Sequence, residues 1–328
     1  MIKSKLALFF SISIFFSGAS LSEPQQRLRT PRIGILIPDA GLHELQTVKG
    51  FKDGLKEAGY KEGENIILEV QDVKGARAQL QRAVNELVSK KVDIIFTTGT
   101  RATQAAMAAT KEIPIVFRHP ADPVSLGLVK NANRPGGNVT GVAAFSLGAD
   151  QKRLEVLKQI VPNLRRIHIF YDANNRFSPD NFAAAEKSAR QLKLDVIEHP
   201  VKTAKEFKSS LTQMEVNPGD AIFQVADDLV ESQGSVLLEE AKKRKLASMF
   251  HAEVWASRGS LAAYGPNYYE MGRQAADLAN QIIKGAHPKD LAVAHANKFD
   301  LAINLRTAGS IGLKIAPEVL KKADKVIR

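Results

Sequence analysis

The sequence contains no cysteine. Disulfides, thiolate metal sites, a cysteine nucleophile and a lipid-modified cysteine at a processing site are thereby excluded. Aromatic residues make up only 6% of the chain, and glycine and proline are not in excess, which excludes fibrous and disordered classes. The seven histidines, His43, His119, His168, His199, His251, His287 and His295, never fall at a metal-ligand spacing such as His-x-x-x-His. Each reads as a surface or core histidine, and His119 and His251 stand apart only because they lie at strand ends. There is no Gly-x-Ser-x-Gly elbow and no Ser-x-x-Lys pair with supporting motifs. Nothing supports a nucleophilic hydrolase or a metalloenzyme, so the expectation is a protein without catalysis, metal or cofactor.

What is present is a long, ordinary globular chain. A single core usually stops growing below about 250 to 300 residues, so 328 residues at 44% hydrophobic predict two lobes. At the start, Lys3 and Lys5 flank the apolar stretch Leu6 to Phe16, and the small residues Ser17, Gly18 and Ala19 follow. This predicts a secretory signal peptide over 1–19. The alternative, a membrane anchor, is disfavoured because the stretch is well short of the roughly 20 residues that span a bilayer. The mature protein is expected free in the periplasm, not as a lipoprotein. The formal charge is +11, yet the basic residues lie among acids, as in Lys52-Asp53 and Glu239-Glu240-Ala241-Lys242-Lys243-Arg244. That favours solvated faces over a binding stripe, and no nucleic-acid partner is expected.

From Arg32 onward, short β-rich runs alternate with helical patterns, which predicts βαβ units and mostly parallel sheets. Strands are expected at 33–37, 66–70, 92–96 and 113–117, with helices between them at 42–55, 76–88 and 100–110. After the turn cluster Asn133-Arg134-Pro135-Gly136-Gly137-Asn138 the pattern begins again. Helices are expected at 150–160, 179–192, 204–214 and 229–243, with strands at 167–171, 194–199, 221–225 and 246–250. The fold class is therefore α/β, with two doubly wound, Rossmann-like lobes joined by a multi-strand hinge. Lobe one covers 31–145 and is completed by about 266–298; lobe two covers 146–265 and is completed by about 299–328.

Ligands of open α/β sheets sit outside the carboxyl ends of the strands, so two facing lobes place both sets of strand-end loops on one cleft. Gly99, Thr100 and Arg101 stand where a strand becomes a helix, and backbone N–H groups, the helix dipole and a guanidinium there suit an anion such as a carboxylate. The plainer reading is a tight turn and an N-cap. The loop lacks the Gly-x-Gly-x-x-Gly spacing and the lysine of nucleotide loops. Asp227 and Asp228 follow a buried strand and suit a ligand ammonium group, or they cap the next helix. Asp122, Tyr171, Asn174, His251 and Tyr264 are the other strand-end candidates. Tyr171, Phe145, Phe177, Trp255 and Tyr264 offer aromatic walls, with core packing as the alternative for each.

Several segments resemble the ABC transporter substrate-binding protein family that includes tryptophan- and tyrosine-binding members. They are Gly50-Phe51-Lys52-Asp53-Gly54-Leu55-Lys56-Glu57-Ala58-Gly59-Tyr60, Ile113-Pro114-Ile115-Val116-Phe117, Asp122-Pro123-Val124, Arg134-Pro135-Gly136-Gly137-Asn138-Val139-Thr140-Gly141, Tyr269-Glu270-Met271-Gly272-Arg273 and Ile303-Asn304-Leu305-Arg306-Thr307-Ala308. The resemblance runs in order along nearly all of the mature chain. It implies a type I periplasmic-binding fold, no catalysis, and delivery of a small molecule to an inner-membrane ABC permease with its ATPase. By position, Gly99, Thr100 and Arg101 match a Gly-Thr-Pro-Ala-Ala loop, and Asp227 matches the Asp of a Thr-Asp-Asn loop in the amino-acid-binding branch. Arg101 replaces the usual Pro, and Ala226-Asp227-Asp228 replaces Thr-Asp-Asn, so an aromatic amino acid does not follow. A monomer is expected. A ligand-presenting sensory adaptor for a membrane receptor is the alternative function. A transcription regulator of the same fold would need a helix-turn-helix where the signal peptide lies.

Overall fold

The computed structural model describes residues 29–38, 42–119, 122–144, 149–175, 178–225 and 227–328. The expected signal peptide, Phe145 and Phe177 lie outside the described residues. The chain opens with β1 (Arg32–Ile37), α1 (Leu42–Glu57), β2 (Ile67–Asp72), α2 (Leu80–Ser89), β3 (Ile94–Thr98), α3 (Thr100–Ala109), β4 (Ile115–His119) and β5 (Val139–Ala143). It then runs through α4 (Ala149–Ile160), β6 (Arg166–Asp172), α5 (Ser178–Gln191), β7 (Asp195–Val201), α6 (Ala204–Gln213), β8 (Asp220–Phe223), α7 (Asp228–Ser232), α8 (Gly234–Lys243), β9 (Ala247–Phe250), α9 (Glu253–Arg258) and β10 (Ala262–Pro266). It ends with α10 (Tyr268–Ile283), β11 (Ala294–His295), β12 (Phe299–Asn304), α11 (Leu305–Ser310), α12 (Pro317–Leu320) and β13 (Lys325–Ile327).

These strands form two sheets, ordered β11-β5-β4-β3-β1-β2 and β13-β12-β10-β9-β8-β6-β7. All pairings are parallel except β10 with β12. Central strands such as β3 and β4 are buried along their whole length, as expected of parallel strands covered on both faces. Helix α2 shows why the covering helices stay put: Leu80, Ala83, Val84 and Leu87 share one face and all are buried. Within the first sheet the order β2-β1-β3-β4-β5, and within the second the order β7-β6-β8-β9-β10, repeat one doubly wound plan. In each, the strand order reverses beside the sheet's first strand, so the crevice opens at the ends of β1 and β3 in one lobe and β6 and β8 in the other.

The chain leaves the first sheet after β5, returns to it with α10 and β11, and leaves again to place β12 and β13 in the second. The return is made tight by glycine. On α1 and α10 the backbones touch: a Cβ on Gly50 would lie 1.9 Å from the Tyr269 carbonyl oxygen, and one on Gly272 would lie 2.1 Å from that of Thr47. One hydrophobic cluster runs from Ile33, Phe51 and Phe96 of lobe one to Phe170, Phe207 and Phe250 of lobe two, with Phe51 and Phe96 stacked at 4.0 Å.

Before the last segment, where the sequence reading assigned no elements, three departures from it have a local reason. β5 follows directly on Gly136-Gly137 and contains Gly141, so turn signals mask it. α9 is a six-residue helix, too short for a periodic signal. The helix expected at 229–243 is two helices, α7 and α8, because Gln233 leaves helical geometry at φ −100° and ψ 6°.

Candidate functional site

The carboxyl ends of β3, β4, β8 and β9 carry a cluster of buried polar side chains that spans both lobes. From lobe one, β4 ends in Arg118, which is only 1% exposed. Its guanidinium lies over the Tyr268 ring at 4.9 Å and reaches Glu44 on α1, with Nη2 3.4 Å from Oε1. Burial pushes the Glu44 carboxyl up, but the hydrogen bond from His43 and the charge of Arg118 outweigh it and hold the carboxyl below its usual range. Nε2 of His43 lies 2.7 Å from Glu44 Oε2, and its Nδ1 lies 3.5 Å from Glu231 Oε1 on α7. That last contact joins the two lobes.

From lobe two, the wall is built on Gln224 at the end of β8, Arg153 of α4 and His251 after β9. Arg153 is ion-paired with Asp150 at 2.8 Å, donates to the Gln224 carbonyl and lies over the Phe223 ring at 4.3 Å. Burial pulls its pKa down, partly offset by Asp150. His251 Nδ1 donates to Gln224 Oε1 at 2.5 Å, and its Nε2 lies 3.9 Å from Glu231 Oε2. Burial, then the charges of Arg153 and His43, pull His251 down to about 3. It is therefore a neutral imidazole near pH 7.

The residues singled out from sequence divide into three groups. Gly99, Thr100 and His251 lie at these strand ends. Gly99 takes φ +87°, which a side chain would strain, and its N–H donates to the Arg118 carbonyl at 3.0 Å. Thr100 opens α3 with no side-chain cap on the helix, and its hydroxyl contacts His119 Nε2. In a second group, Arg101 lies in the first turn of α3, and Asp122 and Asn174 make turn contacts within their own loops. Arg101 is exposed. Asp122 Oδ1 accepts from Val124 N at 2.9 Å, and the exposed Asn174 donates its backbone N–H to Asp172 Oδ1 at 2.9 Å.

The third group is occupied by the fold. Tyr171 packs in the lobe-two core, with its hydroxyl on Glu198 and its ring 4.9 Å from that of Phe182. Tyr264 packs beside Phe299, with ring centroids 5.9 Å apart, and Trp255 is a core residue. Asp227 caps α7: Oδ1 accepts from Val230 N at 2.9 Å, while Oδ2 accepts from Asp172 N at 2.9 Å and from the Ser178 hydroxyl. Three donors hold a carboxylate that is 5% exposed, so Asp227 fills the capping role the sequence offered for it. Among the described residues, no group of three or more His, Asp or Glu side chains is arranged to hold a metal ion.

Sequence reasoning places Arg118 among the strand-end loops of lobe one but does not select Glu44, Arg153, Gln224, Glu231 or Tyr268, although a signal existed for two of these. Arg118 and Gln224 each follow a short apolar run, Ile115 to Phe117 and Ala221 to Phe223, and Arg153 shares the helical stripe of Leu157 and Ile160. A charged or amide side chain at a core position is the exception that calls for a reason.

With the geometry in place, comparison with known proteins gives a consistent result. The model of the ABC transporter substrate binding protein family matches residues 33–327. The chain belongs to that family. It is a solute-binding protein of the type I periplasmic-binding fold, not an enzyme. A tyrosine-binding protein of Clostridioides difficile is 30% identical over 266 residues, covering 81% of this chain and 76% of the relative. Among solved structures, an ABC domain from Streptococcus pneumonia in complex with L-Trp superposes with TM-score 0.82 at 27% identity, covering 91% of this chain and all of that one. The ligand-free, open structure of a Clostridium difficile substrate-binding protein with adhesive properties gives TM-score 0.74 at 28% identity, covering 90% and 99%. No helix of the described residues in this substrate-binding protein is long and apolar enough to cross a membrane.

Proposed function

We propose that this protein is the exported receptor of an ABC importer, taking up an amino acid or similar carboxylate-bearing solute between its lobes. It then presents the solute, unaltered, to an inner-membrane permease driven by its ATPase. The observation that carries this reading is the contact of His43 in lobe one with Glu231 in lobe two across facing strand ends. Only a closed arrangement gives a solute partners on both sides, so binding favours closure. Relatives bind tyrosine and L-Trp, which supports the amino-acid class. The signal-peptide pattern expected over 1–19 supports export, and the Gly99–Arg101 loop remains a candidate contact at the rim.

The test is small-angle X-ray scattering of the mature protein, before and after it has been stripped of bound solute by partial unfolding and refolding. The stripped form is expected to have the larger radius of gyration and to contract when its solute is restored. Identical scattering in the two states would contradict the proposal.

A further inference from the structure

Burying a guanidinium is costly unless its donors are used, and this protein buries two at the junction of its lobes. Arg118 is 1% exposed, Arg153 3% and Gln224 1%. Nonetheless Arg118 Nε, Arg153 Nε and Gln224 Nε2 have no hydrogen-bond partner. A buried donor left without an acceptor is costly, so three of them in one cluster ask for one. They belong to one linked cluster: Arg118 meets Glu44, His43 lies between Glu44 and Glu231, His251 lies between Glu231 and Gln224, and Arg153 donates to the Gln224 carbonyl. The nearby acids leave donors over. Glu44 meets Arg118 through a single 3.4 Å contact, and Asp150 meets one terminal nitrogen of Arg153.

We infer that Arg118 and Arg153, one from each lobe, clamp a carboxylate of the solute, with the Gln224 amide as a third donor. This rests on the solute-binding reading above and moves the acid group from the Gly99–Arg101 loop to the floor of the cleft. A planar carboxylate suits the forked donors of arginine. Because the two arginines belong to different lobes, the same group that is recognised also draws the lobes together. Arg118 and Arg153 thereby become the residues that reject solutes lacking an acid group.

Isothermal calorimetry on the stripped mature protein tests this with L-tyrosine, L-tryptophan, L-glutamate, succinate and orthophosphate, and with tyramine and tryptamine as decarboxylated counterparts. At least one carboxylate is expected to bind. Among the aromatic probes, loss of the carboxylate is expected to abolish binding. Arg118→Lys and Arg153→Lys, which keep the charge and lose the fork, should each weaken binding by about 100-fold, with folding checked by circular dichroism. The ligand comparison does not depend on any variant folding. An amine binding as tightly as its acid, or wild-type affinity in both folded variants, would overturn the clamp while leaving solute binding intact. Preference for orthophosphate over every carboxylate would also overturn it. Binding of none of the probes would count against both the clamp and the amino-acid class.

Discussion

Gly272→Val is expected to cost about 3 kcal/mol or more of folding stability, at the upper end for overpacking. The reason is local and geometric. A Cβ at 272 would lie 2.1 Å from the Thr47 carbonyl oxygen and 2.8 Å from the Phe51 nitrogen. Both are α1 backbone atoms and cannot rotate away as a side chain would. Helix α10 would have to lift off α1, taking with it Met271, Ala275, Ala276 and Ala279, all buried. Because α10 is the segment by which the chain returns to lobe one, the damage reaches the junction of the lobes. Gly309→Ala is the matched control. It sits inside α11 with nothing within 4 Å of a new Cβ, so it should be neutral or stabilise by up to about 1 kcal/mol. Urea unfolding of the two variants beside the parent protein decides the matter, and equal midpoints for Gly272→Val and the parent would refute the packing argument.

Acid is expected to destabilise the protein well above the range where carboxylates protonate. In lobe two a hydrogen-bonded chain runs through the buried His168 and the half-buried His199. Ser210 Oγ lies 3.2 Å from His199 Nδ1, His199 Nε2 3.0 Å from His168 Nδ1, and His168 Nε2 3.2 Å from Asp220 Oδ2. Since the Asp220 carboxylate only accepts, His168 donates to it through Nε2 and accepts from His199, which in turn accepts from Ser210. Each imidazole must be neutral for this order to hold, because an added proton would set donor against donor. Burial and the neighbouring His168 pull His199 down to about 4, and burial pulls His168 down despite its bond to Asp220. His251, buried at the end of β9, is lowered to about 3 by burial, Arg153 and His43.

The sign follows from these directions. As pH falls below about 6.5 the unfolded chain takes up protons at these histidines while the folded protein does not. The stability they contribute is therefore complete above that pH and is lost as pH falls toward the folded values. Each loses up to about 1.4 kcal/mol per pH unit in that window. Asp220 acts lower down: burial raises it, but Arg166, the Asn217 N–H and His168 hold it at about 2, so its contribution goes only below pH about 4. Urea unfolding at pH 7.5, 6.0 and 5.0 should show a steep decline, made shallower in His199→Gln. A flat profile over that range would show that the histidines are not buried neutral.

The fold was legible in the sequence because each buried strand announces itself as a short apolar run, and each helix carries its face at three- and four-residue steps. Ile33 to Ile37 and Leu80 to Leu87 are examples. What escaped was local. β5 hid behind glycines that the chain needs for its turn, and the break falls at Gln233, which is itself neither proline nor glycine. The site was less legible than the fold for a related reason. Strand ends can be counted from sequence, which located Gly99, Thr100 and His251, but a residue's direction at a strand end depends on alternation and on neighbours in other strands. That is why Tyr171 turns into the core toward Phe182. Asp227 illustrates the other difficulty, since a helix cap and a ligand acceptor require the same side chain in the same loop. Glu44, Arg153 and Tyr268 come from helices distant in sequence, and only the assembled lobes bring them to one place.

A receptor of this kind carries a solute and releases it unchanged. Native mass spectrometry of the exported protein, purified without refolding and then denatured so that the released small molecule can be weighed, addresses this directly. One solute bearing a carboxylate is expected per chain, with the same mass before and after prolonged incubation with the protein. A protein that carries nothing and takes up none of the carboxylates offered, or one whose bound molecule returns with an altered mass, would contradict it.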